Sequence, residues 1–256
     1  MNRHQQLSIL YILPLVAVVF SLVMHTNYLG SMILFWGVPS LLLTIWAPKR
    51  AIKTALLALS ATIFLMNLDI IFYATQQWYV LSTIFSHRLL GIVAWEDILY
   101  FFLFVYFPVI FWEHFYERQV HEHLWTRRMT QLTITSILFL LVIVAIWTWI
   151  PTLLQIPYFY FIATVILMVI PLVVEVRSHP RLSLKFVRVG LYFAYVAILY
   201  ELTGLYLGLW NYPSHQFIGW IEIVGLRFPI EELFAWILLG AAAILSWYEY
   251  FDDDNR

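Results

Sequence analysis

Residues 89–112 read LLGIVAWEDILYFFLFVYFPVIFW. An α-helix needs about 20 apolar residues to cross the hydrocarbon core of a bilayer, and this run is long enough. Within it stand two adjacent carboxyls, Glu96 and Asp97, and EIVGLRFPIEELFAW (222–236) carries a second such pair, Glu231 and Glu232. Working outward, further stretches qualify, so the spans run over roughly 7–25, 30–47, 53–75, 89–112, 132–150, 156–175, 187–207 and 226–248. A β-barrel would instead alternate in segments of about 10 residues, and nothing here does. Composition agrees with the spans. Charged residues make up 11%, against about 25% in soluble domains, so no water-soluble shell can be assembled. The expected fold is all-α, a polytopic membrane helical bundle of about eight transmembrane helices.

The basic residues test the topology. The N-terminus, the second, fourth and sixth loops and the C-terminus hold most of the 14 Lys and Arg, while the other side holds only Arg88 and Arg227. This asymmetry predicts an integral cell-membrane protein with both termini in the cytoplasm. The leading MNRHQQ precedes an apolar run with no small-residue cleavage site, so the first span reads as uncleaved. Net charge is −1, which gives nucleic acid no basic surface to bind. Cysteine is absent, which removes disulfides, thiolate nucleophiles and Cys-metal sites.

Acids are costly inside a membrane, roughly 2.5–3.5 kcal/mol each at mid-helix, so their positions carry information. Water is expected to reach Glu113, Glu117, Glu122, Glu175, Glu249 and Asp252–Asp254, but not Asp69, Glu96, Asp97, Glu201, Glu222, Glu231 or Glu232. Glu96 is expected about 10 Å down the fourth span, at 1.5 Å per residue. Asp69, Glu201 and the Glu231–Glu232 pair fall at matching depth in the outward half. Helix–helix hydrogen bonding can explain any one such acid, at about 0.6 kcal/mol each. It explains a matched set less well.

The set is also repeated. NLDIIFYATQQW (67–78) resembles LYELTGLYLGLW (199–210): an acid, then a tryptophan nine residues later, then an acid pair. Four spans per half return the chain to the same side, so the halves (1–120 and 121–256) are expected to be parallel repeats with the site between them.

Most site chemistries are missing. No histidine lies mid-span, and HExxH, GxGxxG and P-loop motifs do not occur. Paired acids can hold Mg²⁺, but the spans offer no basic groups to receive a diphosphate. No metal and no cofactor is expected. What remains is carboxyls in an apolar, aromatic-rich cavity. Burial and a neighbouring carboxyl raise a carboxyl pKa, which suits one group to act as general acid and its partner as base. Indole faces such as Trp78 and Trp210 can steady a transient carbocation. Together these describe protonation of an alkene and loss of a proton elsewhere.

At these residues the sequence resembles a known family. FPIEELF (228–234) looks like the PxE(E/D) signature of the integral-membrane lycopene cyclases, made as two subunits or one fused chain, and the resemblance covers nearly the whole chain. Asp69, Trp78 and Glu96–Asp97 follow the same order in the first half, although Ala94 stands where the family has Pro. GLWNYP (208–213) resembles the family's loop, and Pro229, Glu231 and Glu232 match the signature. The resemblance implies redox-neutral β-cyclisation of a linear carotenoid that enters from the bilayer. It implies catalytic roles for Glu231 and Glu232 first, then Glu96, Asp97, Asp69 and Glu201. Trp78, Trp210, Asn211 and Pro229 would touch substrate. Arg227 stands four before Glu231, one helical turn, and is expected to hold that acid ionised, leaving Glu232 as the proton donor. Carotenoid-pathway enzymes or a second copy of the chain are possible partners. Two other classes compete: a non-catalytic carotenoid- or lipid-binding protein, and a proton-linked transporter. An intramembrane prenyl-protein protease fits less well, because position 236 is Trp where its EExxxR motif needs Arg.

Overall fold

A computed structural model describes residues 2–117 and 123–252. The expected boundary at 120/121, Arg118, Glu122 and residues 253–256 of the acidic tail lie outside the described residues. Among those described, eight helices are long and apolar enough to cross a membrane. They are α1 (Arg3–Met24), α2 (Tyr28–Trp46), α3 (Pro48–Ala74), α4 (Glu96–Phe115), α5 (Arg127–Trp149), α6 (Phe159–Ser178), α7 (Pro180–Tyr206) and α8 (Ile230–Phe251). The protein is an all-α membrane-spanning bundle. Local signals set the helix ends. Asn2 makes a reciprocal capping box with Gln5, Asn27 and Thr126 cap α2 and α5 through their side chains, and Pro48 and Pro180 open α3 and α7.

Packing repeats between the halves. In the first half α3 lies against α4, and α2 against α4; in the second α7 lies against α8, and α6 against α8. The first helices are exchanged, since α1 packs on α7 and α5 on α3, while α4 and α8 meet in the middle. Sequence positions follow the same rule at a fixed spacing of 132 (201 minus 69). At that spacing Pro39 matches Pro171, Pro48 matches Pro180, Asp69 matches Glu201, and Trp78 matches Trp210. Pro39 and Pro171 each follow a π-helical stretch, Ile33–Gly37 and Val165–Val169. A proline ring collides with the carbonyl four residues back, and one widened turn accommodates it.

Short strands close the loop end of the bundle. Strand β1 (Tyr79–Val80) pairs antiparallel with β2 (Trp210–Asn211), with Tyr79 opposite Asn211 and Val80 opposite Trp210. Tyr79 and Asn211 are repeat counterparts, so each faces its own equivalent where the halves meet. A hairpin of β3 (Trp220–Ile223) and β4 (Leu226–Pro229) precedes α8.

Several expectations are corrected. The fourth and eighth helices start at Glu96 and Ile230, not at 89 and 226. The acid pairs therefore sit in first turns, where the helix dipole favours carboxylates, and not part-way down a span. Glu222 is exposed on β3, opposite Arg227. Glu113, expected in water, is fully buried near Arg50 and takes a hydrogen bond from the Tyr248 hydroxyl. Glu175 is also buried and pairs with His179 at 2.7 Å.

Candidate active site

The six singled-out acids are all buried and gather at the loop end of the bundle, each pair split between two jobs. The first member of each pair holds a loop. Glu96 Oε1 accepts the backbone N–H groups of Ile84 (2.6 Å) and Phe85 (3.3 Å), and Glu231 Oε1 accepts that of Ile218 (2.6 Å). The second member faces the acid of the preceding long helix. Asp97 lies beside Asp69, and Glu232 lies beside Glu201. Chemical pairing thus runs between helices, 69 with 97 and 201 with 232, and not within the adjacent pairs.

The surroundings of these two pairs differ. Asp97 accepts from the Tyr73 hydroxyl at 2.9 Å, and Tyr28 stands beside it. Arg88 lies within electrostatic reach of Asp69. Its guanidinium is fixed by the carbonyls of Val80 (2.6 Å) and Ile92 (3.0 Å) and covers the ring of Tyr79 at 4.4 Å. In the second half Glu201 Oε1 accepts the Tyr212 hydroxyl (2.8 Å) and the Trp210 indole N–H (3.3 Å). Glu232 Oε2 accepts the Tyr160 hydroxyl. Tyr212 lies in the loop between α7 and β3, where burial, with the Glu201 carboxylate beside it, pushes its hydroxyl pKa well up. It stays a neutral donor.

The second pair opens onto space. A small cavity of about 30 Å³ is lined by Glu201, Glu232, Tyr160, Tyr212, Trp78, Trp210 and four further aromatic side chains on α3, α4 and α7, with Trp236 of α8. Phe72, Tyr160 and Trp236 also line a second cavity of about 160 Å³, which runs between α3, α5, α6 and α8. Along α3 that groove extends from Leu57 to Phe72, about 22 Å at 1.5 Å per residue. Its walls are almost wholly apolar, and the three shared side chains set it next to the cavity of the two carboxyls.

Trp78 and Trp210 thus reach the cavity, whereas Asn211 is exposed on β2 and Pro229 serves as the N-cap of α8, and neither lines it. Arg227 is also misplaced by the one-turn argument. It is an exposed residue on a strand, not a helix, and its guanidinium stacks on Trp220 at 4.7 Å, while Glu231 is bound to Ile218. Compared with known proteins, the chain matches no family model, no curated protein and no solved structure. Four residues of the two acid clusters carried no separate signal in the acid–tryptophan pattern: Tyr73, Arg88, Tyr160 and Tyr212. One clue was available, since Tyr160 stands 132 positions after Tyr28 (160 minus 28), the same spacing that relates Asp69 to Glu201.

Proposed function

We propose that this protein is a lycopene cyclase of the integral-membrane type, closing β-rings on the ends of a linear carotenoid without a redox cofactor. One observation carries the reading: two facing carboxyls, Glu201 and Glu232, stand among aromatic rings in a small cavity that shares Phe72, Tyr160 and Trp236 with an apolar groove. A polyene suits such a groove because it has no polar group to leave unpaired. Its end would enter past Trp236 and Tyr160 and come to rest between the carboxyls.

The chemistry is an isomerisation. One carboxyl gives a proton to C2 of the terminal double bond, leaving a cation at C1. The C5–C6 double bond attacks C1, forms the C1–C6 bond and moves the cation to C5. The other carboxyl takes the C6 proton, and its electron pair becomes the ring double bond. Atoms and electrons balance with no oxidant. Trp78, Trp210 and Trp236 line the cavity, where cation–π attraction is worth about 2 kcal/mol or more when dry. Tyr160 and Tyr212 hold the carboxyls in place.

With both termini in the cytoplasm, this site lies toward the outward leaflet. The test is expression in a lycopene-accumulating host with chromatography of the carotenoids. Cyclic product is expected from the natural sequence, and Glu232→Gln should lower it by roughly 100-fold or more, as general acid–base groups contribute. Unchanged lycopene in cells that hold the folded protein would leave the carrier or transporter reading instead.

A further inference from the structure

We propose that the groove among α3, α5, α6 and α8 is the substrate groove and that its repeat counterpart is filled by aromatic side chains. This deepens the cyclase reading and rests on it for the identity of the ligand, a linear polyene that enters end first. The repeat spacing shows where a twin groove would lie: among α7, α1, α2 and α4, the counterparts of α3, α5, α6 and α8.

In the open groove α6 presents Leu167 and Met168, and α3 presents Ala61 and Leu68. Their counterparts 132 positions away are Phe35 and Trp36 on α2, and Phe193 and Tyr200 on α7. These four replacements are larger and buried, whereas Leu57, Phe64, Leu65 and Phe72 of α3 have smaller counterparts, Val189, Val196, Ala197 and Gly204, and Trp210 fills the space over Gly204. The larger replacements also interlock. Phe35 meets Tyr200 at 5.4 Å between ring centroids, and Trp36 meets Tyr200 edge-on at 5.9 Å. Aromatic side chains thus occupy counterpart positions of the groove's lining. The acids follow the same asymmetry. Asp69 and Asp97 are sealed at 0% exposure with Arg88 anchored beside them, whereas Glu201 and Glu232 line the cavity.

The two ends of a carotenoid must then be cyclised in separate binding events. A monocyclic carotenoid forms, leaves the groove, and returns with its other end first. Asp69 and Asp97 brace the first half and touch no substrate.

The test has a binding arm and a product arm. Lycopene is titrated into the purified protein in detergent and followed by quenching of tryptophan fluorescence. One lycopene per chain is expected. L167F/M168W copies the plug into the open half and should abolish binding and ring formation. F35L/W36M should raise the stoichiometry toward two. If that variant does not fold, Asp97→Asn carries the test, with ring formation expected within about threefold of the natural rate, whereas loss of a general acid costs roughly 100-fold. A time course should show monocyclic product ahead of bicyclic. Two lycopenes per natural chain, no binding at all, or an Asp97→Asn loss as large as that of Glu232→Gln would overturn the proposal. One lycopene bound with no ring formed would sink the cyclase reading and leave the single groove standing.

Discussion

Gly204→Ala tests how tightly the site is built. Gly204 lies in the last turn of α7, and the chain folds back so that Trp210 lies directly on it. A methyl group there would stand 1.9, 2.3 and 2.4 Å from three carbons of the indole. Carbon atoms pack at about 3.5–4.0 Å, so the ring must retreat by about 1.5 Å. It has little room to do so. Trp210 is 3% exposed, and its centroid lies 5.0 Å from Tyr200 and 5.9 Å from Tyr28. Its bond to Glu201 is already 3.3 Å and would break. Overpacking costs about 1–3 kcal/mol, and the lost hydrogen bond about 1 kcal/mol. The better helix propensity of alanine returns about 1 kcal/mol. The net is a destabilisation of about 1–3 kcal/mol. At about 2–4 °C per kcal/mol for a chain of this size, Tm should fall by about 5 °C. Thermal unfolding in detergent, followed by circular dichroism, measures it. Gly190→Ala is the control, because its methyl group would meet atoms only at 3.9 Å, and its Tm should hold or rise. An unchanged or higher Tm for Gly204→Ala would refute the close seat of Trp210 and with it the geometry of the Glu201 end of the cavity.

Other outcomes follow from the same contacts. Glu231→Gln keeps an oxygen to accept the Ile218 N–H and should retain ring formation, while Glu231→Ala should loosen the 212–229 loop, costing about 1–2 kcal/mol and hastening limited proteolysis there. Arg88→Met removes two charged hydrogen bonds to Val80 and Ile92 and the cation beside Asp69, so Tm should fall by the equivalent of about 2–4 kcal/mol, read by the same unfolding assay. Tyr212 has its hydroxyl pKa raised in the folded state, so its stabilising contribution is whole below the ordinary tyrosine range and is lost as pH climbs above it. Absorbance titration of the folded protein near pH 10 should therefore be the same for Tyr212→Phe as for the natural chain.

Hydropathy made the helices legible because lipid demands long apolar runs, and span ends were found to within about five residues except at the starts of α4 and α7, each seven residues off. Ahead of α4 and α8 the apolar letters of 89–95 and 226–229 mislead, since these residues pack as loop and strand over the helix starts and look like more span. Acids could be singled out by their cost in lipid, which is why Asp69, Asp97, Glu201 and Glu232 stood out. Their partners could not. Adjacent positions such as Glu231 and Glu232 point in different directions at the start of a helix, and only the crossing of α7 and α8 brings Glu201 to Glu232. Tyrosines escaped because a hydroxyl on an aromatic ring costs little to bury and leaves no mark in a hydropathy profile. Arg227 misled because one-turn spacing has meaning only inside a helix, and β4 is extended.

The exchanged packing of α1 and α7 has a consequence in time. Tyr192 of α7 donates its hydroxyl to the Leu10 carbonyl of α1, a partner 182 positions away in the chain. At about 5–20 residues per second of synthesis, α1 waits roughly 10–35 s in the bilayer before that partner exists. It must survive that interval with lipid on the flank that α7 later covers. Its sequence suits the wait: of the eight spans it has the highest mean hydropathy, 2.6, and no carboxylate. The facing acids come from helices made next to each other, α3 with α4 and α7 with α8, which can cover their polar groups as soon as both exist. Order of synthesis thus sorts which helices can afford a charge.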